Sequence, residues 1–571
     1  MDRESYLKVK EVIDGKKTAD LLLRNCNIVN VFTGEIIHSN LAVCAGHFVF
    51  WSETGRGLEE IDVEDKYVVP GLIDAHMHFE STMVQPRDLL AVAVMHGTTT
   101  FISDPHEAAN VCGIKGVQYI LDQTENAPAN VFITMPSCVP ATPLDDNGSE
   151  ITAEDMKPFA NHPRVLGLAE VMDTEAVING EEKMFKKLEI FDQHHIIDGH
   201  IPSLSGINLM KFAAAGIDTD HESIDFEGAL EKARLGIQVL IREGSAAHNV
   251  EGLIKGIMNT EIDNCNFSFC TDDRHIEDIV KIGHIDNNVR IAISLGMKPL
   301  DAIKIATINT AHRYGLKHLG AIAPGYQADF IIVDDLNKFN VERVFVKGKE
   351  IKGKEDFENG PECPEGLKHT VNISPITPDR FRLPIDEEPV HVISIVPRQI
   401  TTEDVLIRFN PTDNFQSYGD FKKIASVERH KNKGLVGVAI ANGYGIQNGA
   451  IAISVSHDSH NIIVIGDNDN DMAIAVNEIS RLQGGIVIVE KGKVFDSLPL
   501  PIMGLISNEK CDKVREKVEC LMNKAYEMGV YKDIDPFITL SFLSLPVIPK
   551  LRIIPRGLVS IGDYGPELIN K

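Results

Sequence analysis

The strongest constraint on how this chain folds is a rhythm. Short apolar runs begin at Gly71, Thr99, Val131, Val165, Ile196, Gly216, Gln238 and Phe267, and each ends in polar side chains. Helical spacing of apolar residues fills the gaps, as in 86–96 and 226–234. Strands alternating with helices imply a parallel sheet, and eight such units predict a (β/α)8 barrel over 71–319. The stretch 299–314 reads as one helix that closes it.

The flanks have a different pattern. Residues 19–70 read as short strands punctuated by Gly34, Gly46 and Gly55, and strand character returns at 321–333 and 341–347. This predicts a small discontinuous β-sandwich domain, built from 1–70 and 320–352, with the barrel inserted in it. Residues 353–362 are polar and read as a linker. The remainder, 363–571, carries strand-like runs at 435–440 and 451–455 and is expected to be an α/β domain. The fold class is α/β throughout.

Composition excludes several classes of function. The formal charge of −27 disfavours a nucleic-acid backbone as partner. The nine cysteines are odd in number and include no Cys-x-x-Cys pair, which argues against a disulfide framework or a thiolate zinc ribbon. The charged N-terminus lacks an apolar signal core, and no apolar run is long enough to span a bilayer. A cytoplasmic protein with no membrane partner is the expectation.

In an α/β barrel, chemistry sits at the C-terminal ends of the strands. The first run ends in His76 and His78, which are two apart and so share one face of a strand. The fourth ends in Glu170, the fifth in His200, the sixth in His221 and the eighth in Asp272. A lone strand-end histidine is most often a hydrogen-bonded core or surface residue. Five strands of one barrel ending in metal-competent side chains predict a divalent metal site.

Other positions admit two readings. Asp104-Pro105-His106-Glu107 ends the second strand and is either a helix start, with Asp104 as N-cap and Pro105 in the first turn, or a binding element. Arg242 and Glu243 end the seventh strand and either bind substrate or pair with each other. His457 and His460 form a structural turn in the favoured reading and a metal site in the other. His78-Phe79-Glu80 matches half of the cytidine-type zinc deaminase signature, but its Pro-Cys-x-x-Cys half is absent, which excludes that route.

The string at 70–83 resembles the start of the barrel in the amidohydrolase superfamily and, more narrowly, in the adenine deaminase family. Segments 97–111, 167–172, 198–200, 220–223, 269–275 and 320–329 support the likeness, and 457–464 with 477–486 resemble that family's C-terminal domain. The resemblance implies hydrolysis of adenine to hypoxanthine and ammonia, with adenine as the small-molecule partner and a homo-oligomeric assembly. It implies a binuclear divalent centre in which Glu170 replaces the bridging carbamylated lysine of many relatives. His76, His78 and Asp272 would hold one ion and His200 and His221 the other. Manganese is expected, with iron and zinc as rivals. Asp272 and Glu170 are the expected catalytic residues, and Asp273 is expected to point away. His106, Glu107, Arg242 and Glu243 are candidate contacts for the purine, with a further metal ion as the other use of His106 and Glu107. The alternatives are a cyclic amidohydrolase of the dihydroorotase or hydantoinase type, or an inactive barrel scaffold.

Overall fold

The computed structural model describes residues 1–52, 55–191, 195–202, 204–245, 247–260, 262–358, 360–562 and 565–569. Eight strands make the barrel: β1 (Leu72–Met77), β2 (Thr98–Ser103), β3 (Asn130–Met135), β4 (Val165–Val171), β5 (Ile196–Gly199), β6 (Thr219–Asp220), β7 (Gln238–Arg242) and β8 (Phe267–Cys270). β1 to β5 pair in order as one parallel sheet and β6 to β8 as another. The Asp218 N–H donates to the Ile197 carbonyl at 2.8 Å and joins β5 to β6. The Asp272 N–H donates to the His76 carbonyl at 3.0 Å, and Met77 forms a parallel bridge with Asp272, which closes β8 onto β1.

The strands are buried on both faces, so they read as near-continuous apolar runs. Alternation still sorts their side chains. Val239 and Ile241 join the cluster that includes helical Leu253 and Ile254. Leu240 instead packs with Ala75, Ile102, Cys270 and Tyr314, a plug within the barrel. The expected closing helix is broken into Pro299–Ile305 and Ile308–Arg313. Thr307 leaves helical geometry at φ −140° and ψ −91°. The break frees the Ala306 carbonyl to accept from the Ile73 N–H at 2.9 Å, so pairing with the barrel competes with helix continuity.

Segments before and after the barrel share one eight-stranded sheet. Ala19–Asn30 pairs antiparallel with Glu35–Cys44 and parallel with both Gly57–Asp62 and Tyr67–Pro70. Phe330–Val333 then pairs antiparallel with Tyr67–Pro70, followed by Val341–Val346 and Lys349–Ile351. Leu23, Cys26, Ile28, Phe48, Phe330 and Phe345 form the core on one side. On the other, helix Arg3–Ile13 packs Val9 and Val12 against Leu22, Ala42 and Val49.

The polar segment 353–362 is not a free linker. Lys354–Phe357 forms a 3-10 turn with Phe357 buried, and Gln123 Nε2 donates to the Pro361 carbonyl at 2.7 Å. Beyond it lies a second eight-stranded sheet, covered on one face by helix Asp469–Leu482 through Met472, Val476 and Ile479. Its opposite face carries Ile451, Ile453, Ile463 and Ile465 into a core continuous with the barrel. Asp146, in the loop after β3, pairs with Lys433 at 2.6 Å and Arg556 at 2.7 Å and ties the barrel mouth to this domain. Among the described residues, no helix is long and apolar enough to cross a membrane.

Candidate metal and catalytic centre

Glu170, at the end of β4, is buried and ringed by four imidazoles. Its Oε1 lies 3.2 Å from His106 Nδ1 and 3.6 Å from His78 Nε2. Its Oε2 lies 2.8 Å from His200 Nδ1 and 3.1 Å from His221 Nε2. Burial alone would raise the pKa of this carboxyl. His221, His106 and His200 outweigh that and hold it well below the usual range, so it is ionised.

On one side, His78 Nε2 approaches Asp272 Oδ1 at 3.1 Å, and His76 Nε2 lies 3.8 Å from the same oxygen. The Asp104 carbonyl lies 2.9 Å from His78 Nδ1 and orients that ring. Asp272 Oδ2 accepts from Arg242 Nη1 at 2.6 Å. Burial would raise the Asp272 carboxyl, but Arg242, His78 and His221 keep it well below the ordinary value. Burial, then His221 and His78, hold His76 well below its ordinary pKa, so it is the neutral imidazole that a metal needs. His78 is also buried, but Asp272 outweighs burial and raises its pKa well above the ordinary value.

On the other side, the ring of His221 stacks on His76 with centroids 4.2 Å apart. Glu222 Oε1 lies 3.6 Å from His221 Nε2 and 3.9 Å from His200 Nδ1. Lys232 Nζ fixes the loops that carry these histidines. It donates to Asp220 Oδ2 and to the Ile201 carbonyl, both at 2.7 Å.

These residues fit a divalent cation. His76 Nε2, 3.8 Å from Asp272 Oδ1, is buried without a hydrogen-bond partner, a cost that a bound ion removes. Ligand atoms of His76, His78 and Asp272 cluster within 4.8 Å of one another, as do those of His76, Glu170 and His221, and those of His200, His221 and Glu222. His78, Asp104, His106 and Glu170 form a fourth such group. Imidazole with carboxylate suits manganese, iron or zinc.

The structure excludes two of the open readings and overturns one expectation. Pro105 occupies the cap position of helix His106–Cys112, and Asp104 makes no cap. Asp104 Oδ2 turns instead to His106 Nδ1 at 3.1 Å. Asp273 does not point away, because Asp272 adopts the left-handed φ of 57°, which breaks strand alternation. Asp273 Oδ1 therefore turns beside the centre and accepts from Ser81 Oγ. Arg242 and Glu243 do not pair with each other. Arg242 is bound to Glu222 and Asp272, and Glu243 Oε1 lies 2.8 Å from His248 Nδ1.

Residues 67–351 match the amidohydrolase family, and residues 399–563 match the adenine deaminase C-terminal domain. A protein of Desulfitobacterium hafniense (strain Y51) named adenine deaminase is 47% identical over 545 residues, covering 95% of this chain and 95% of its own. The chain belongs to the adenine deaminase family. A second member, from Clostridium acetobutylicum, is 43% identical over 560 residues, 96% of this chain and 97% of its own. A third, from Carboxydothermus hydrogenoformans and named adenine deaminase 2, is 41% identical over 559 residues, 97% of each chain.

In this member of the adenine deaminase family, strand ends alone miss part of the centre. Glu222 follows His221 directly, and β6 has only two residues, so alternation does not carry Glu222 away. The signal that finds it is Arg242, a buried cation that needs carboxylate partners. Asp458 reaches the site from the C-terminal domain, with Oδ1 3.7 Å from His106 Nε2. Nothing in its local sequence announces that approach. His457 lies on the same segment, with Nδ1 3.6 Å from Glu107 Oε1.

Proposed function

We propose that this chain hydrolyses adenine at C6, giving hypoxanthine and ammonia, in cytoplasmic purine salvage or adenine catabolism. What carries the reading is an intact set of ligand side chains in a chain whose relative over 95% of its length is named adenine deaminase. His76, His78 and Asp272 would hold one divalent ion and His200 and His221 a second, with Glu170 between them. Manganese is the proposed ion, with iron and zinc as rivals.

Bound there, divalent ions would supply Lewis-acid chemistry and would lower the pKa of water toward neutral. The chain's residues handle protons and position. Arg242 occupies Asp272 Oδ2 and leaves Oδ1 facing the histidines. We assign Oδ1 the proton taken from the attacking water and delivered to the departing amine. The C6–O bond forms, the C6–N bond breaks, and ammonia leaves with that proton. Glu170 stays ionised. The substrate side is proposed to be the edge at His106 and Glu107. Arg242 and Glu243 are engaged elsewhere, and Arg242 serves as a positioning residue.

Ser81, Asp273, His457 and Phe542 line a cavity between the barrel mouth and the C-terminal domain. That covering favours exclusion of bulk water. A cyclic amidase is not favoured, because β4 ends in Glu170 and residues 399–563 match the adenine deaminase C-terminal domain. We also infer a homo-oligomer, since Lys349–Ile351 leaves a sheet edge open. The test is hypoxanthine formation from adenine, followed by absorbance. It should vanish on chelation and return with Mn2+. Turnover that persists after all metal is removed contradicts the proposal.

A further inference from the structure

A second cluster of ligand side chains lies beside the centre and is not part of it. Glu107 comes from the helix after β2, Asp273 from the turn after β8, and His457 from the C-terminal domain. Their ligand atoms lie within 4.8 Å of one another. His457 Nδ1 is 3.6 Å from Glu107 Oε1, too far for a hydrogen bond. The His457 ring is held in place by stacking on Phe542, with centroids 4.5 Å apart and 16° between planes.

Ser81 Oγ contacts Glu107 Oε1 at 2.9 Å and also Asp273 Oδ1. One hydroxyl carries one proton, so it serves only one of these carboxylates at a time. Burial first, then the charges of Asp273 and Glu80, raise the Glu107 carboxyl well above its ordinary value and outweigh His78 and His106. Glu107 Oε2 has no hydrogen-bond partner although the side chain is fully buried. His460 Nε2, equally buried, is also without a partner and lies 4.0 Å from that oxygen. Two carboxylates and an imidazole thus come together, with the unpartnered Glu107 Oε2 and His460 Nε2 beside them. The adjoining cavity is lined by Ser81, Asp273, His275 and His457 and has room for water to complete a coordination shell.

We propose that Glu107, Asp273 and His457 bind a further divalent cation of the manganese, iron or zinc class, distinct from the pair around Glu170. Two ligands come from the barrel and one from the C-terminal domain, so this ion fastens the domain over the barrel mouth. Asp273 and His457 join Ser81 in the wall of the cavity, so the ion sits beside the reacting centre without being part of it.

The test counts metal and does not depend on adenine turnover, so it can fail while the deaminase reading stands. Full-length wild type, His457→Phe and Asp273→Asn are loaded with Mn2+, desalted into metal-free buffer, and assayed for bound manganese. His457→Phe keeps a ring to stack on Phe542. Each variant should hold one manganese per chain fewer than wild type, and an anomalous difference map of wild-type crystals should show a peak among Glu107, Asp273 and His457. Equal manganese in wild type and both variants overturns the proposal, as does a map with no peak there. If a variant fails to fold, the wild-type map decides alone.

Discussion

Arg242 Nη1 donates to Asp272 Oδ2 at 2.6 Å, while Asp272 Oδ1 faces His78 Nε2 at 3.1 Å. The two oxygens of one carboxylate thus have separate partners, one a fixed cation and one the metal side. Arg242 is also the first cause holding Asp272 below its ordinary pKa. Replacing it by glutamine should raise the Asp272 pKa and move the acid limb of the kcat/KM profile to higher pH. An acid limb unchanged in Arg242→Gln would remove Arg242 from this role.

Asp272→Asn keeps an oxygen for the metal but cannot accept the proton. Metal content should stay at the wild-type level, while kcat falls by about 10²–10⁴-fold, the usual range for lost acid–base catalysis. Parallel metal assays and initial rates check this, and near-wild-type turnover would sink the assignment.

His78 is held well above its ordinary pKa because Asp272 outweighs its burial. Ligation requires the neutral ring. Adding Mn2+ to metal-free protein at pH 7 should therefore release protons, seen with an indicator in weak buffer. Affinity should drop as pH falls. Uptake with no proton release contradicts the protonated His78.

Lys232 and Asp220 form a fully buried pair at 2.7 Å beneath the loops that carry His200 and His221. Lys232→Met leaves Asp220 unpaired and should cost about 3–5 kcal/mol in denaturant unfolding at pH 7. Burial would raise Asp220, but Lys232 and His221 outweigh it, so the folded pKa is depressed. The stabilisation is present above the unfolded value of about 3.9 and is lost as pH falls through the folded one. The gap between wild type and variant should therefore persist from neutral pH down to about 5 and close in stronger acid. A gap that widens in acid would reverse the sign and refute the pairing.

The barrel was legible because its strands are short apolar runs at regular spacing, and because strand ends in such a fold converge. That logic finds His76, His78, Glu170, His200, His221 and Asp272, which the structure gathers around Glu170. It does not find Glu222 or Asp458, and it leaves Asp104 between two readings. Glu222 depends on a strand too short to alternate, and Asp104 on a turn that looks like a helix cap. Asp458 depends on a domain contact between positions more than 300 residues apart. The left-handed Asp272 misleads in the same way, since one positive φ turned Asp273 toward Ser81. The broken helix at Thr307 was hidden because its partner, the Ile73 N–H, is remote in sequence.

The most direct test of the account is a substrate panel for the Mn2+-loaded protein. Adenine, adenosine, guanine and dihydroorotate are each incubated with it, with ammonia release measured for the purines and ring opening for dihydroorotate. The account predicts rapid ammonia release from adenine, with hypoxanthine as the product, and a far lower rate on the other three. Preferred ring opening of dihydroorotate, or no ammonia from adenine with the metal sites filled, would contradict it.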